Sequence, residues 1–279
     1  MTKIGDILKD LYKVSAFTKG DEGGNKAGVY LNADTLTDDQ MQKIAKDLGY
    51  SETAFVFKSD VADFKVRFFT PFMEVDLCGH ATLATFFVLK TLNKISIGTY
   101  TQETKAGILK IRSELDLIYL ELKAPLFYDM IDIKSIDACF SSISYHENLK
   151  PCIVSTGLKE IFVPVKNKHI LDQLIPNFEK IKEISAIYDV IGIHVFALDD
   201  DIDAYGRNFA PIVGIDEESA TGTSNGALAC YLNKLYQDKS HYILRQGYSM
   251  ELPSQIHVDI FKDHQEITAV WVGGNSKLL

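Results

Sequence analysis

Ser51-Glu52-Thr53 follows Gly49 and runs directly into the apolar stretch Ala54-Phe55-Val56-Phe57. A carboxylate pressed against such a stretch loses hydration, which disfavours its charged form and raises its pKa towards that of a useful general base. A lone Glu beside a strand is ordinarily solvent-exposed, so Glu52 gains weight only from its company. His80 follows Gly79 where an apolar segment begins, and Glu217-Glu218 stand before a second glycine turn, Thr221-Gly222-Thr223. A neutral imidazole at a helix start can give or take a proton, although capping or packing is its commoner use. Gly79 and Gly222 each lead into an apolar helix. The free NH groups at those turns, Thr223 included, and the positive ends of the helix dipoles would bind an anion without any Lys or Arg. They would also steady the charge that develops beside a carbon being deprotonated.

The elements that must position these residues can be read from the hydrophobic pattern. Residues 11–17 and 27–31 predict short strands around a polar loop. Thr37 predicts an N-cap, Gln40 completes a capping box, and Met41, Ile44, Ala45 and Leu48 recur at helical spacing until Gly49. Residues 53–57 and 64–69 predict strands, residues 81–92 a helix buried on nearly every face, and residues 108–122 a hairpin turning near Asp116. The second half repeats this order. Arg67-Phe68-Phe69-Thr70-Pro71 matches Arg207-Asn208-Phe209-Ala210-Pro211, an offset of 140, and Cys78-Gly79-His80 matches Thr221-Gly222-Thr223, an offset of 143. The helix and strand at 37–57 correspond loosely to 177–197. Two copies of one α+β lobe are expected, residues 1–124 with Glu52 and the Cys78-Gly79-His80 turn, and 125–279 with the Glu218 to Thr223 turn. A return of the last strand, about 266–275, to the first lobe is left open.

The chain has 279 residues, a hydrophobic fraction of 46%, charged residues at 24% and a net charge of −9. This is an ordinary globular composition, and its sign argues against nucleic acid or an anionic membrane as partner. No run reaches the ~20 apolar residues of a membrane span. The start mixes charge with apolar residues and lacks a signal peptide's core, so a cytoplasmic protein is expected. Cys78, Cys139, Cys152 and Cys230 form no Cys-x-x-Cys pair, and reduced thiols are expected. No nucleotide motif and no metal-ligand spacing occurs. The expectation is no cofactor, no metal and a small anionic metabolite as partner.

Ser51-Glu52-Thr53-Ala54-Phe55-Val56, Phe69-Thr70-Pro71 and Leu77-Cys78-Gly79-His80-Ala81-Thr82-Leu83-Ala84, with Phe209-Ala210-Pro211 and Ala220-Thr221-Gly222-Thr223, resemble the phenazine-biosynthesis PhzF family of isomerases. The resemblance runs from Ala16-Phe17 to Val272-Gly273-Gly274 and includes Ser155-Thr156-Gly157 and Gln246-Gly247. It implies an α+β diaminopimelate-epimerase-like fold: two pseudo-symmetric lobes, each a curved, mostly antiparallel sheet around a central helix, with the active site between them. It further implies a proton-shuttling role for Glu52, a place beside the substrate for His80, an assisting Asp whose position falls on Glu218, and a homodimer. The family's Glu-Asp-Pro-Ala-Thr-Gly-Ser is here Glu217-Glu218-Ser219-Ala220-Thr221-Gly222-Thr223, so the assisting Asp is a longer Glu and a Pro is lost. Epimerases of the same fold use two thiols. Thr221 stands where the partner of Cys78 would be, and its hydroxyl, far less acidic than a thiol, cannot carry the proton. The reading is a cofactor-independent isomerase with Glu52 as its base. The alternatives are a binding or regulatory protein without turnover, and an amino-acid racemase pairing Glu52 with Cys78 or His80.

Overall fold

The structure, a computed structural model, describes residues 8–236, 239–264 and 266–279. The N-terminal stretch read above against a signal peptide lies partly outside these residues. The chain divides into two units, one made of residues up to Glu121 with Gly273–Leu279, the other of Leu122–Val272. The division thus falls at Glu121/Leu122 rather than at residue 124, and the chain's last strand, Glu266–Leu278, is shared between the units.

In the first unit the strands are β1 (Leu11–Thr18), β2 (Asn25–Tyr30), β3 (Glu52–Phe57), β4 (Phe64–Phe69), β5 (Glu74–Val75), β6 (Gly98–Thr104), β7 (Gly107–Ser113) and β8 (Ile118–Leu122). Helix α1 (Asp38–Leu48) starts where its capping box predicts, since Gln40 N donates to Thr37 Oγ1 and Thr37 N donates to Gln40 Oε1 at 2.9 Å. It stops at Gly49, whose φ of 68° a side chain would strain. Helix α2 (Gly79–Thr91) is apolar on all sides and packs on β1, β2 and β3, with residues from His80 to Leu89 almost all buried. It is the central helix of its unit because no face of it could remain in water.

The second unit contains β9 (Leu126–Met130), β10 (Phe140–Ser141), β11 (Cys152–Ser155), β12 (Lys159–Pro164), β13 (Ile175–Pro176), β14 (Ile193–Leu198), β15 (Ala204–Ala210), β16 (Ile215–Glu218), β17 (His241–Gln246), β18 (Ser254–Asp263) and β19 (Glu266–Leu278). Its helices are α3 (Lys168–Gln173), α4 (Phe178–Tyr188) and α5 (Gly222–Tyr236). Asn177 caps α4 through its side chain, and α5, like α2, begins on its glycine and is buried over most of its length.

The letter repeat is a structural repeat. The sequence β1-β2-β3-β4-β6-β7 pairs antiparallel, parallel, antiparallel, parallel, antiparallel. The sequence β11-β12-β14-β15-β17-β18 follows the same order. Register agrees residue for residue: Thr53 faces Phe69 as Ile193 faces Phe209. A bidentate ion pair recurs too. Arg67 donates from Nε and Nη2 to Glu74 at 2.7 and 2.8 Å, and Arg207 does so to Glu217 at 2.8 and 2.9 Å. Each guanidinium also lies over the ring two residues on, Phe69 or Phe209. Such planar forks tie the Pro-containing turn after β4 or β15 to its own strand.

Candidate active site

Glu52 is the first residue of β3 and His80 the second of α2, so the pairing of β2 with β3 and the packing of α2 on both decide where the two meet. His80 Nε2 lies 3.2 Å from Glu52 Oε2, with side-chain exposures of 5% and 12%. That close approach is not a hydrogen bond, since the buried Oε2 has no hydrogen-bond partner. Around the ring, Asn25 Nδ2 is 3.3 Å from Nδ1, Ser51 Oγ is 3.3 Å from Nε2, and Cys78 Sγ is 3.4 Å from Nδ1. Burial lowers the His80 pKa from its ordinary value, while Glu52 and a hydrogen bond with the Lys26 backbone act in the opposite direction. The imidazole is therefore neutral near pH 7 and can serve as donor or acceptor.

Cys78 is the N-cap residue of α2, makes no side-chain capping bond and has its thiol against the imidazole. Gly79 opens the helix, so the NH groups of its first turn, unpaired within the helix, accompany this cluster. Ligand atoms of Glu52, Cys78 and His80 all lie within 4.8 Å of one another. Sequence spacing gave no hint of this grouping, because it depends on a strand and a helix start that are far apart in the chain.

In the second unit the predicted residues Glu218, Gly222 and Thr223 surround the start of α5. Glu218 Oε2 accepts from Thr221 Oγ1 at 2.5 Å, and Thr221 Oγ1 accepts from Gln246 Nε2 at 3.1 Å. Gln246 Nε2 also donates to the Glu218 carbonyl, and Gln246 Oε1 accepts from Thr221 N and Asn225 Nδ2. Gly222 is buried, Thr223 is half-buried, and the Thr223 carbonyl accepts from Thr156 Oγ1. Glu217, which also stands before the second glycine turn, is the partner of Arg207; its repeat counterpart Glu74 is likewise the partner of Arg67. Gln246 and Asn225 organise this turn, and isolated amides carry no spacing signal that could have singled them out for that task. A cavity of about 730 Å³, bounded by residues 199–203 with Lys168, Lys239 and His241, includes none of the predicted site residues.

Two repeated α+β units, each with a glycine turn opening a buried central helix, define a diaminopimelate-epimerase-like fold. A hydroxyproline epimerase from Agrobacterium vitis shares it at a TM-score of 0.61 and 12% identity, over 96% of this chain and 90% of that one. A PhzF-family phenazine biosynthesis protein from Bacillus anthracis matches with a TM-score of 0.88 and 31% identity over 96% of both chains. An uncharacterised isomerase of Clostridium acetobutylicum is 36% identical over 96% of this chain and 95% of its own. The family model for phenazine biosynthesis-like (PhzC-PhzF) proteins matches residues 14–279, and the chain belongs to that family. Among the described residues no helix is long and apolar enough to cross a membrane.

Proposed function

We propose that the chain is a cofactor-independent isomerase in which Glu52 removes a proton from a small carboxylate-bearing metabolite and returns it elsewhere on the same molecule. The observation that carries this reading is the Glu52 carboxylate itself: one oxygen is buried and without a hydrogen bond, 3.2 Å from a buried imidazole and beside a helix start. An unbonded buried carboxylate oxygen is costly unless it is used, and accepting a proton uses it. His80 would donate to the substrate or hold Glu52 in line.

The repeat offers no second proton carrier at the positions that match Glu52 and Cys78. With Thr53 matched to Ile193, the second unit's counterpart of Glu52 is Gly192, which has no side chain to act as a second base. The counterpart of Cys78 is Thr221, whose hydroxyl is spent on Glu218. Glu218 accepts from the Thr221 hydroxyl and so helps to fix the second unit's own glycine turn at Gly222 and Thr223.

The test is Glu52→Gln. Gln keeps the shape but cannot take the proton, so solvent-deuterium uptake into a turned-over small acid should fall by at least ~100-fold to 10,000-fold. Melting temperature should stay within the shift caused by about half a kcal/mol. Unchanged exchange in a folded variant would remove Glu52 from the mechanism. A wild-type protein that binds acids but never exchanges their protons would favour the binding-protein reading.

A further inference from the structure

The hydrogen-bonding groups around the His80 ring are sorted between its two nitrogens, donors on one side and acceptors on the other. We propose that Asn25 is a positioning residue of the isomerase site. It holds His80 in the tautomer whose one proton sits on Nε2, facing Glu52, so that the ring is a fixed hydrogen-bond donor and not a carrier of the catalytic proton. The tautomer stands on geometry alone; its effect on turnover rests on the isomerase reading.

Asn25 is the first residue of β2, is 7% exposed, and has its Nδ2 3.3 Å from His80 Nδ1. An amide nitrogen only donates, so the ring nitrogen that it faces must keep its lone pair. Cys78 Sγ is nearer to Nδ1, at 3.4 Å, than to Nε2, at 3.9 Å, and a protonated thiol offers Nδ1 a second donor. The other nitrogen meets oxygens. Ser51 Oγ is 3.3 Å from Nε2 and Glu52 Oε2 is 3.2 Å from it. The Ser51 hydroxyl has the Lys26 carbonyl at 3.4 Å as its own acceptor, which leaves an Oγ lone pair to accept from the ring. The hydrogen bond with the Lys26 backbone acts to raise the His80 pKa, the sign expected of a ring N–H donating to a carbonyl.

A neutral ring in this tautomer cannot take a proton at Nε2, which already carries one, nor at Nδ1 while an amide N–H points at its lone pair. Burial disfavours the imidazolium as well. Giving up the Nε2 proton would leave an imidazolate, a far stronger base than a carboxylate. His80 is thereby removed as the opposing acid of a racemase, and the proton is left to Glu52. What the ring supplies instead is the positive end of its Nε2–H bond, 3.2 Å from the Glu52 oxygen. That N–H is a donor for this oxygen or for negative charge developing on a bound substrate.

The experiment reads the tautomer directly, by NMR of full-length protein carrying nitrogen-15 histidine. Couplings from the ring's carbon-bound protons to both nitrogens report which one is protonated, and the His80 signals are identified by their loss in His80→Gln. Wild type at neutral pH should show a protonated Nε2 and an unprotonated Nδ1. Asn25→Asp keeps the shape but replaces the donor by a carboxylate that only accepts, so a proton should appear on Nδ1. Cys78→Ala leaves Asn25 in place and should keep the wild-type pattern. Solvent-deuterium uptake into a turned-over acid should fall in Asn25→Asp by about 10-fold to 10,000-fold, mostly in kcat; the upper figure is the cost of a wrong tautomer in a Ser-His-Asp triad. Melting temperatures confirm that the variants are folded. A proton on Nδ1 in wild type overturns the proposal even if no variant folds. So does a pattern that changes in Cys78→Ala or stays unchanged in Asn25→Asp. A switched tautomer with undiminished exchange overturns the positioning role, whereas Glu52→Gln judges the isomerase reading separately, because the tautomer is read without turnover.

Discussion

At the scale of residues, the two units use one backbone arrangement for different ends. Ala27 faces Glu52 across the parallel pair β2–β3. One step before Ile161 faces Ile193 in β12–β14, the matching pair brings Glu160 beside Gly192. The carboxylate has thus changed strands, and there it is structural. Glu160 is buried, accepts from Asn208 Nδ2 at 2.8 Å and is pushed up in pKa by that burial. His194 lies beside the same amide, with Asn208 Nδ2 3.3 Å from its Nδ1 and its Nε2 against Gly206. Burial drops the His194 pKa from 6.5 to about 3. Below pH 6.5 the unfolded chain takes up a proton that the native chain refuses, so the His194 contribution to stability is lost as pH falls from about 6.5 towards about 3. Urea unfolding of wild type and His194→Phe at a series of pH values should show a steeper acid-side decline in wild type, by at most about 1.4 kcal/mol per pH unit. Glu160 titrates in both proteins and cancels from the comparison. Parallel curves would mean that His194 takes its proton in the native state. None of this polar set was legible in the sequence. Glu52, His80 and the two glycines stand at breaks in the hydrophobic pattern, whereas Glu160, His194 and Asn208 are single polar letters inside strands, marked by burial alone.

Elements show which sequence signals survive folding. The capping box at Thr37, the glycine stop at Gly49 and the uniformly apolar α2 depend on contacts within a few residues, and each is found where it is expected. The strand order depends on contacts between distant segments, and the alternation of apolar residues could not reveal it. The parallel neighbours β2–β3 and β12–β14 are each joined through a helix, α1 or α4, in the usual manner of parallel pairs. Closing that crossover requires close approach. A Cβ on Gly192 would fall 2.1 Å from the Phe209 carbonyl oxygen, a backbone atom that cannot swing aside. Gly192→Ala should therefore cost about 1–3 kcal/mol through strain in β14 and β15, read as a lowered denaturation midpoint with an unchanged m-value. At Gly49, where no heavy atom lies within 4 Å of an added Cβ, substitution by Ala meets only the backbone penalty of its positive φ. Equal losses at the two glycines would remove the steric argument.

For the molecule as a whole, the repeat made two units legible, but the path of the chain between them is a matter of pairing. β19 supplies residues to both: Gly273–Leu279 belongs to the first unit, where Val14 faces Leu278 and Ala16 faces Ser276 on β1. Ending the chain after Val272 removes that partner and leaves β1 paired with β2 but missing a neighbour. Hydrogen exchange should then quicken in β1 and β2 well before it does in β14 and β15; equal quickening would mean that the two units share one cooperative transition. The same strand sets a timetable during synthesis. A ribosome releases the first unit's opening strands early and their later partner, residues 273–279, only after the second unit's residues 122–272 have emerged. The unit bearing Glu52 is thus completed last. The pairing that closes the first unit around β1 therefore waits until residues 273–279 are made.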